Sequence, residues 1–442
     1  MTANIMESLD TTRVMSKSAQ TVVLIGLLAA FLQPLARADN LILQWNEEAI
    51  NATRLSRNPP PLASLLFATY HIAIFDTVNS FSRHYHGWLV EDPAPAGADL
   101  DAAVAGAGYT VLQALWSPTS NPANIKAYYE NALAKIPDGQ AKSDGIAWGA
   151  KVANAVLAKR SASGFDKPIP GNYSSNDVGK WRETPPTFRP PLLPFWGHVA
   201  PFSMTSASQF RSPPPLPITS KEYADELAYV NKVGPRDGAE RSEYETQCTP
   251  FWSDDLGTST PPGHWNMIAQ DIARRRNLSV LDSARLFALL NIAEADGAIQ
   301  CWETKYFYSA WRPETALREL DAATNPKVAP NPGFIPNMAS PPFPAYTSGH
   351  STFSATGARS LALFFGTDEV EFSVTSDGLP GAVHSFKRFS DAQREAGMSR
   401  IWGGIHTMAD NLRAQQAGVA VADWVFAHEL LPLGTARVTT SN

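Results

Sequence analysis

Three short segments hold residues whose types and spacing suit the capture of an oxyanion. The first runs from Lys305 to Pro313 (KYFYSAWRP) and the second from Pro344 to His350 (PAYTSGH). The third runs from Ser399 to His406 (SRIWGGIH), with Asp410 four residues further on. Together they offer three cations (Lys305, Arg312, Arg400), two histidines (His350, His406), the hydroxyl of Ser348 and the amide of Gly349. Arginine forks match neighbouring oxygens of a tetrahedral or trigonal-bipyramidal anion, and lysine adds a point charge. Phosphate and vanadate are anions of that shape.

The local elements must aim these groups. Ser348 and Gly349 precede a helical run from His350 to Phe365. The amides of a first helical turn lack intrahelical partners and sit at the positive end of the dipole, so they attract anions. Gly349 lets backbone come close to an oxygen, and His350 beside it can exchange protons with an apical oxygen. Lys305 and Arg312 are seven apart and share a face if one helix continues through Ala310. Two basic residues on a helix ordinarily mark a solvated face. Here Trp302, Tyr306, Phe307, Tyr308 and Trp311 surround them, and cations buried among rings need a counter-anion. His406 and Asp410 are spaced i, i+4, so the carboxylate orients the ring if both lie on one helix.

Read in order, the segments give K-x6-R-P, then a S-G-H element, then S-R-x5-H-x3-D. This resembles the superfamily that joins vanadium-dependent haloperoxidases to type 2 phosphatidic acid phosphatases and bacterial acid phosphatases. Trp302, Phe343 and the segment Phe251-Trp252-Ser253-Asp254-Asp255 resemble the chloroperoxidase branch in particular. The match is sharp over 245–415 and diffuse over 40–240. Thr347 departs from it, standing where the family usually has proline. The resemblance implies a vanadate cofactor whose oxygens are held by Lys305, Arg312, Ser348, Gly349 and Arg400, with His406 as the axial metal ligand. It implies His350 and Lys305 as catalytic residues, Trp302 and Phe343 lining the halide side, Asp255 paired with Arg400, and Asp410 behind His406. The implied substrates are hydrogen peroxide and a halide, giving hypohalous acid, with an organic acceptor for the halogen. The same residues acting on phosphate give the alternative: a phosphomonoesterase in which His406 is the nucleophile and His350 protonates the leaving alcohol. A protein that only sequesters an oxyanion is the third reading, and paired histidines argue against it.

The chain has 442 residues, 44% of them hydrophobic and 18% charged, with a net charge of −6. That suits a large globular protein and excludes the basic stripe of a nucleic-acid binder. Residues 1–38 read as a signal peptide: Arg13 and Lys17, an apolar run from Thr21 to Leu32, then Ala36-Arg37-Ala38. An uncleaved anchor is the alternative. No later stretch reads as a stable membrane span, so the expected location is secreted or periplasmic. The two cysteines, Cys248 and Cys301, are either bridged or separately buried thiols.

Helical periodicity dominates. Helices are expected at 64–78, 101–115, 124–135, 145–159, 221–232, 265–276, 280–307, 350–365 and 411–429. The fold class is therefore all-α: two four-helix-bundle-like units with long Pro-rich loops, the site in the C-terminal one. An N-terminal helical part should span 39–215 and a C-terminal catalytic part 216–435, the 35 prolines concentrating at 184–218 and other loops. Regions 321–349 and 366–380 read as irregular. His71 and Asp76 read as core hydrogen bonding, His84 and His86 as surface, and His384 as surface loop; support behind Asp255 is the less favoured reading of His264.

Overall fold

Residues 40–116 and 121–435 are described by the computed structural model, and the leader expected at 1–38 lies outside them. The described chain is helical apart from one short hairpin. In order, α1 spans Leu41–Ser56, α2 Pro60–Ser82, α3 Leu100–Leu115, α4 Pro122–Leu133 and α5 Gln140–Ser161. After the Pro-rich stretch come α6 (Lys221–Val233), α7 (Glu243–Phe251), α8 (Thr260–Arg275) and α9 (Val280–Tyr308). Then follow α10 (Pro313–Glu319), α11 (Gly349–Phe365), strands β1 (Phe372–Thr375) and β2 (Val383–Phe386), α12 (Phe389–Trp402) and α13 (Met408–His428).

The helix starts are written in the sequence. Asn40, Asp99, Ser220, Ser279 and Ser348 each cap a helix through a side-chain oxygen. Thr407 and Asp410 form a reciprocal capping box at α13. Helix α9, 29 residues long, is the shared column of the molecule. It packs on α2 on one side and on α11 and α13 on the other, while α12 closes against α11. One apolar core runs through α1, α2, α3, α8, α9 and α12. It therefore crosses residue 215, where the Pro-rich stretch ties back onto α9 rather than separating two cores. A smaller cluster joins α6, α10 and the end of α12.

Helix α2 is long and apolar enough to cross a membrane, but 94% of its apolar window is buried inside the protein. The two cysteines are free and separately buried. The region 366–380, expected to be irregular, contains β1, which pairs antiparallel with β2, Phe372 opposite Phe386. Its strand residues alternate buried and exposed, the period-two pattern of a half-buried strand. Helices α1, α7, α10 and α12 were not foreseen.

Candidate active site

The last turn of α9 carries Lys305, and the helix stops sooner than expected. Ser309 adopts a left-handed conformation (φ 51°), with its N–H on the Lys305 carbonyl at 2.8 Å. The next residues are pinned from outside. Trp181 N–H donates to Ser309 O, Trp311 N–H to Gly179 O, and Ala345 N–H to Ala310 O. Arg312 then becomes the N-cap residue of α10 with Pro313 at the first helical position. Lys305 and Arg312 thus converge across a chain reversal, not along one helix face.

Both are fully buried, and Arg400 is 2% exposed. Lys305 Nζ donates to Pro344 O (2.8 Å) and Ala345 O (3.0 Å), which leaves one of its three N–H groups over. Arg312 Nε donates to Phe343 O (2.9 Å) and Nη1 to Ile405 O (3.0 Å), while Nη2 has no partner. Arg400 Nη1 donates to Trp252 O (2.5 Å) and Nη2 to Met338 Sδ (2.9 Å), while Nε has none. These hydrogen bonds end on carbonyls and a thioether, and none on a carboxylate. Burial pushes Lys305 down to about 7, Arg312 to about 9 and Arg400 to about 10.

The histidines complete the pocket. His406 Nδ1 lies 3.0 Å from Asp410 Oδ2, which also accepts the Thr407 amide. The i, i+4 pairing expected on one helix is made across the capping box instead, since α13 begins only at Met408. With Nδ1–H on that carboxylate, Nε2 carries the lone pair, and Arg312 Nη1 lies 3.1 Å from it. His350 Nε2 lies 3.1 Å from Ser253 O, so that nitrogen holds the proton and Nδ1 is bare. Burial, reinforced by the neighbouring cations, pushes both rings well below the ordinary histidine value. Ser348 caps α11, its oxygen accepting from the Ser351 hydroxyl at 2.8 Å, and its own amide donates to Asp410 O. Gly349 lies against the Trp302 ring, where an added Cβ would sit 3.4 Å from Cζ3. Trp302 and Phe343 pack with centroids 4.9 Å apart, and Phe343 presents its ring to both Lys305 and Arg312.

Asp255 does not meet Arg400 as expected. Asp254 takes a left-handed conformation (φ 44°), which turns Asp255 outward, where it accepts the Leu256 amide. Buried Asp254 acts more strongly on Arg400 and pairs with His264 at 3.1 Å. His71 has no hydrogen-bond partner and stacks on Phe287, while Asp76 accepts three backbone amides, from Trp88, Leu89 and Val90. Sequence reasoning also missed a buried network. Glu395 accepts from His384 (2.5 Å), Trp252 Nε1 (2.9 Å) and Tyr244. No local spacing signals it, because its partners come from α7 and β2.

Comparison with known proteins finds relatives of one kind. Residues 285–432 match the family model of the VCPO second helical-bundle domain, which covers α9 to α13 and so every anion-facing residue above. The vanadium chloroperoxidase of Curvularia inaequalis is 29% identical over 390 residues, covering 71% of this chain. The crystal structure of the first bacterial vanadium-dependent iodoperoxidase superposes with a TM-score of 0.75 at 27% identity, covering 88% of this chain and 97% of that one. These relatives are vanadium haloperoxidases, and residues 285–432 of this chain carry the second helical bundle of that kind. A holo-type bacterial vanadium-dependent chloroperoxidase shares the fold, with a TM-score of 0.66 at 16% identity over 86% of this chain and 94% of the other. The match spans 64% of the length of the Curvularia inaequalis protein.

The residues present fit a vanadate. Two orphaned guanidinium N–H groups, a spare lysine N–H and the first amides of α11 all demand an acceptor with several oxygens. The unprotonated Nε2 of His406, which accepts from Arg312 Nη1 in this structure, is the donor atom that a metal centre needs.

Proposed function

We propose that this chain is a haloperoxidase that oxidises halide with hydrogen peroxide at a vanadate held by His406 Nε2. The observation that carries the reading is the set of three buried cations whose hydrogen bonds end on no carboxylate, beside an imidazole whose unprotonated Nε2 accepts from Arg312 Nη1. Lys305, Arg312, Arg400, the Ser348 hydroxyl and the Gly349 amide would hold the oxygens. Bound vanadate supplies a Lewis acid that activates peroxide without changing oxidation state.

The chain's own groups do the rest. Asp410 fixes the tautomer of His406 by accepting Nδ1–H. The Ser253 carbonyl does the same for His350, leaving Nδ1 to take a proton from incoming peroxide and return it to product. Held neutral by burial and surrounding cations, His350 starts in the accepting form. Lys305 regains its proton when an anion enters and then stabilises negative charge that develops there. Trp302 and Phe343 wall that side against water. The apolar stretch from Thr21 to Leu32, followed by Ala36-Arg37-Ala38, supports export, so the enzyme would work outside the cytoplasm.

The test is titration of the purified full chain with orthovanadate while peroxide consumption is followed with chloride, bromide and iodide. Halide-dependent consumption should appear only on loading. Phosphomonoester turnover that vanadate inhibits, with no halide oxidation, would replace this reading with the phosphatase one.

A further inference from the structure

Outside the anion pocket, three buried side chains of different donor types meet. Cys248 Sγ, an imidazole nitrogen of His384 and a carboxylate oxygen of Glu395 all lie within 4.8 Å of one another. They come from three elements, α7, β2 and α12. The hairpin is what delivers His384, which the sequence placed in a surface loop. Its ring lies flat against Phe251, centroids 3.7 Å and planes 7° apart, and its Nδ1 faces Glu395 Oε1 at 2.5 Å. Tyr244, one turn before Cys248 on α7, stacks over the other side of the His384 ring and reaches Glu395 with its hydroxyl.

A buried free cysteine ordinarily packs as a small apolar side chain, and it needs no histidine and carboxylate around it. A thiolate, an imidazole and a carboxylate together are a donor set for zinc. Zinc bonds of about 2.0–2.3 Å set tetrahedral ligands about 3.3–3.7 Å apart. The trio lies within about 1 Å of that arrangement: His384 and Glu395 must part slightly, and the longest edge must close. Calcium and magnesium take oxygen sets and fit it poorly. Trp252 Nε1 donates to Glu395 Oε1 at 2.9 Å, the kind of outer hydrogen bond that orients a ligating carboxylate. Tyr244 is 53% exposed, so its side of the cluster gives an ion a way in and a water room for the fourth position.

We propose that Cys248, His384 and Glu395 form a zinc site that ties α7, β2 and α12 together, with water as the fourth ligand. On binding, the thiol proton passes to solvent and the imidazole carries its own proton on Nε2, away from the metal. No electron moves, because zinc has no redox chemistry. The proposal does not depend on the haloperoxidase reading: it stands whether the anion pocket turns over halide or phosphate.

The test strips the tag-free full chain with chelator and titrates it with zinc by calorimetry, then with cobalt(II), whose absorption reports its ligands. Stoichiometric zinc binding is expected, unaffected by excess magnesium and accompanied by a rise in melting temperature. Cobalt(II) should give a thiolate-to-metal charge-transfer band and the visible bands of tetrahedral coordination. Cys248→Ser should abolish the charge-transfer band, and Cys248→Ser and His384→Gln should each weaken zinc at least about tenfold. Cys301→Ser, which alters the other thiol, should change neither, and His406→Ala should keep its zinc. Absence of saturable zinc binding to the folded parent overturns the proposal. So does binding that survives both Cys248→Ser and His384→Gln, or binding that His406→Ala removes, which would put the ion in the anion pocket. Should Cys248→Ser fail to fold, the cobalt spectrum of the Cys301→Ser chain decides, and a missing charge-transfer band there overturns the site.

Discussion

Lys305 is charged in the empty pocket only below about pH 7, because burial away from water pushes its ammonium down from 10.5 and the nearby Arg312 adds to the effect. An anion reverses this. Binding above pH 7 must take up a proton, so affinity should fall about tenfold per pH unit, or about 1.4 kcal/mol. Half of Lys305 is already neutral at pH 7, so between about pH 7 and about pH 8.5 the loss is about 1.7 kcal/mol, roughly 16-fold. That window ends below the Arg312 value of about 9, and both histidines lie well beneath it; burial also raises the Asp410 carboxyl near Lys305, so a variant at Lys305 makes the assignment. The assay is calorimetry with sulfate, a tetrahedral dianion whose own charge is constant over this range. Lys305→Arg keeps a charge throughout and should flatten the slope. An equal slope in Lys305→Arg and the parent, or no slope in the parent, would refute the assignment. The sign for stability follows from the same shift. The folded value is depressed, so the unfolded chain holds the extra proton above pH 7, and the anion-free protein should gain stability as pH rises from about 7 towards 10.5.

Four further expectations concern single side chains. His406→Ala should abolish vanadium retention, and elemental analysis showing stoichiometric vanadium in a folded variant would remove it as the ligand. His350→Ala should keep vanadium but lose most halide-dependent peroxide consumption, whereas unchanged turnover would exclude proton transfer through it. Glu395→Gln should lower both melting temperature and sulfate affinity, because Glu395 holds the indole of Trp252, whose carbonyl holds Arg400; affinity unchanged at reduced stability would confine its role to folding. Gly357→Ala should destabilise the fold by about 1–3 kcal/mol in chemical denaturation, since the new Cβ would come within 2.4 Å of Trp265 Cδ2; a change below about 0.5 kcal/mol would show that the α8–α11 contact yields easily.

What the sequence exposed was local. The spacings Lys305–Arg312, Ser348–His350 and Arg400–His406–Asp410 named the residues that meet in the pocket, because each motif is a short piece of chain with fixed chemistry. The periodicity of α2, α9 and α11 also fixed the fold class. What stayed hidden depends on partners far away in sequence. Ser309 breaks α9 because residues 179–181 and Ala345 capture the next peptides, and no spacing reveals that. Asp255 read as the partner of Arg400, but the turn at Asp254 decides which carboxylate faces inward. The role of Glu395 follows from β2 and α7 arriving beside α12. Proline content marked 184–218 as loop without saying that Leu192 would be tied to Trp302 and Tyr306 on α9.

The side chains around the three cations explain how the pocket stays both folded and receptive. A carboxylate hydrogen-bonded to Arg400 would satisfy it, but would also neutralise the site and compete with the incoming anion; Asp254 and Asp255 attract it without such a bond. Met338 Sδ sits there at 2.9 Å instead, a soft, uncharged acceptor that leaves the positive field intact. The Phe343 ring serves Lys305 and Arg312 in the same way, at 5.0 Å and 4.9 Å. Cation–π attraction of about 0.5–2 kcal/mol each offsets part of the cost of burying the charges without ending it. Carbonyl acceptors from Phe343, Pro344, Ala345 and Ile405 do likewise. The unmet remainder of that desolvation cost is what an oxyanion relieves on binding, so the same packing that weakens the empty fold strengthens its hold on the ligand.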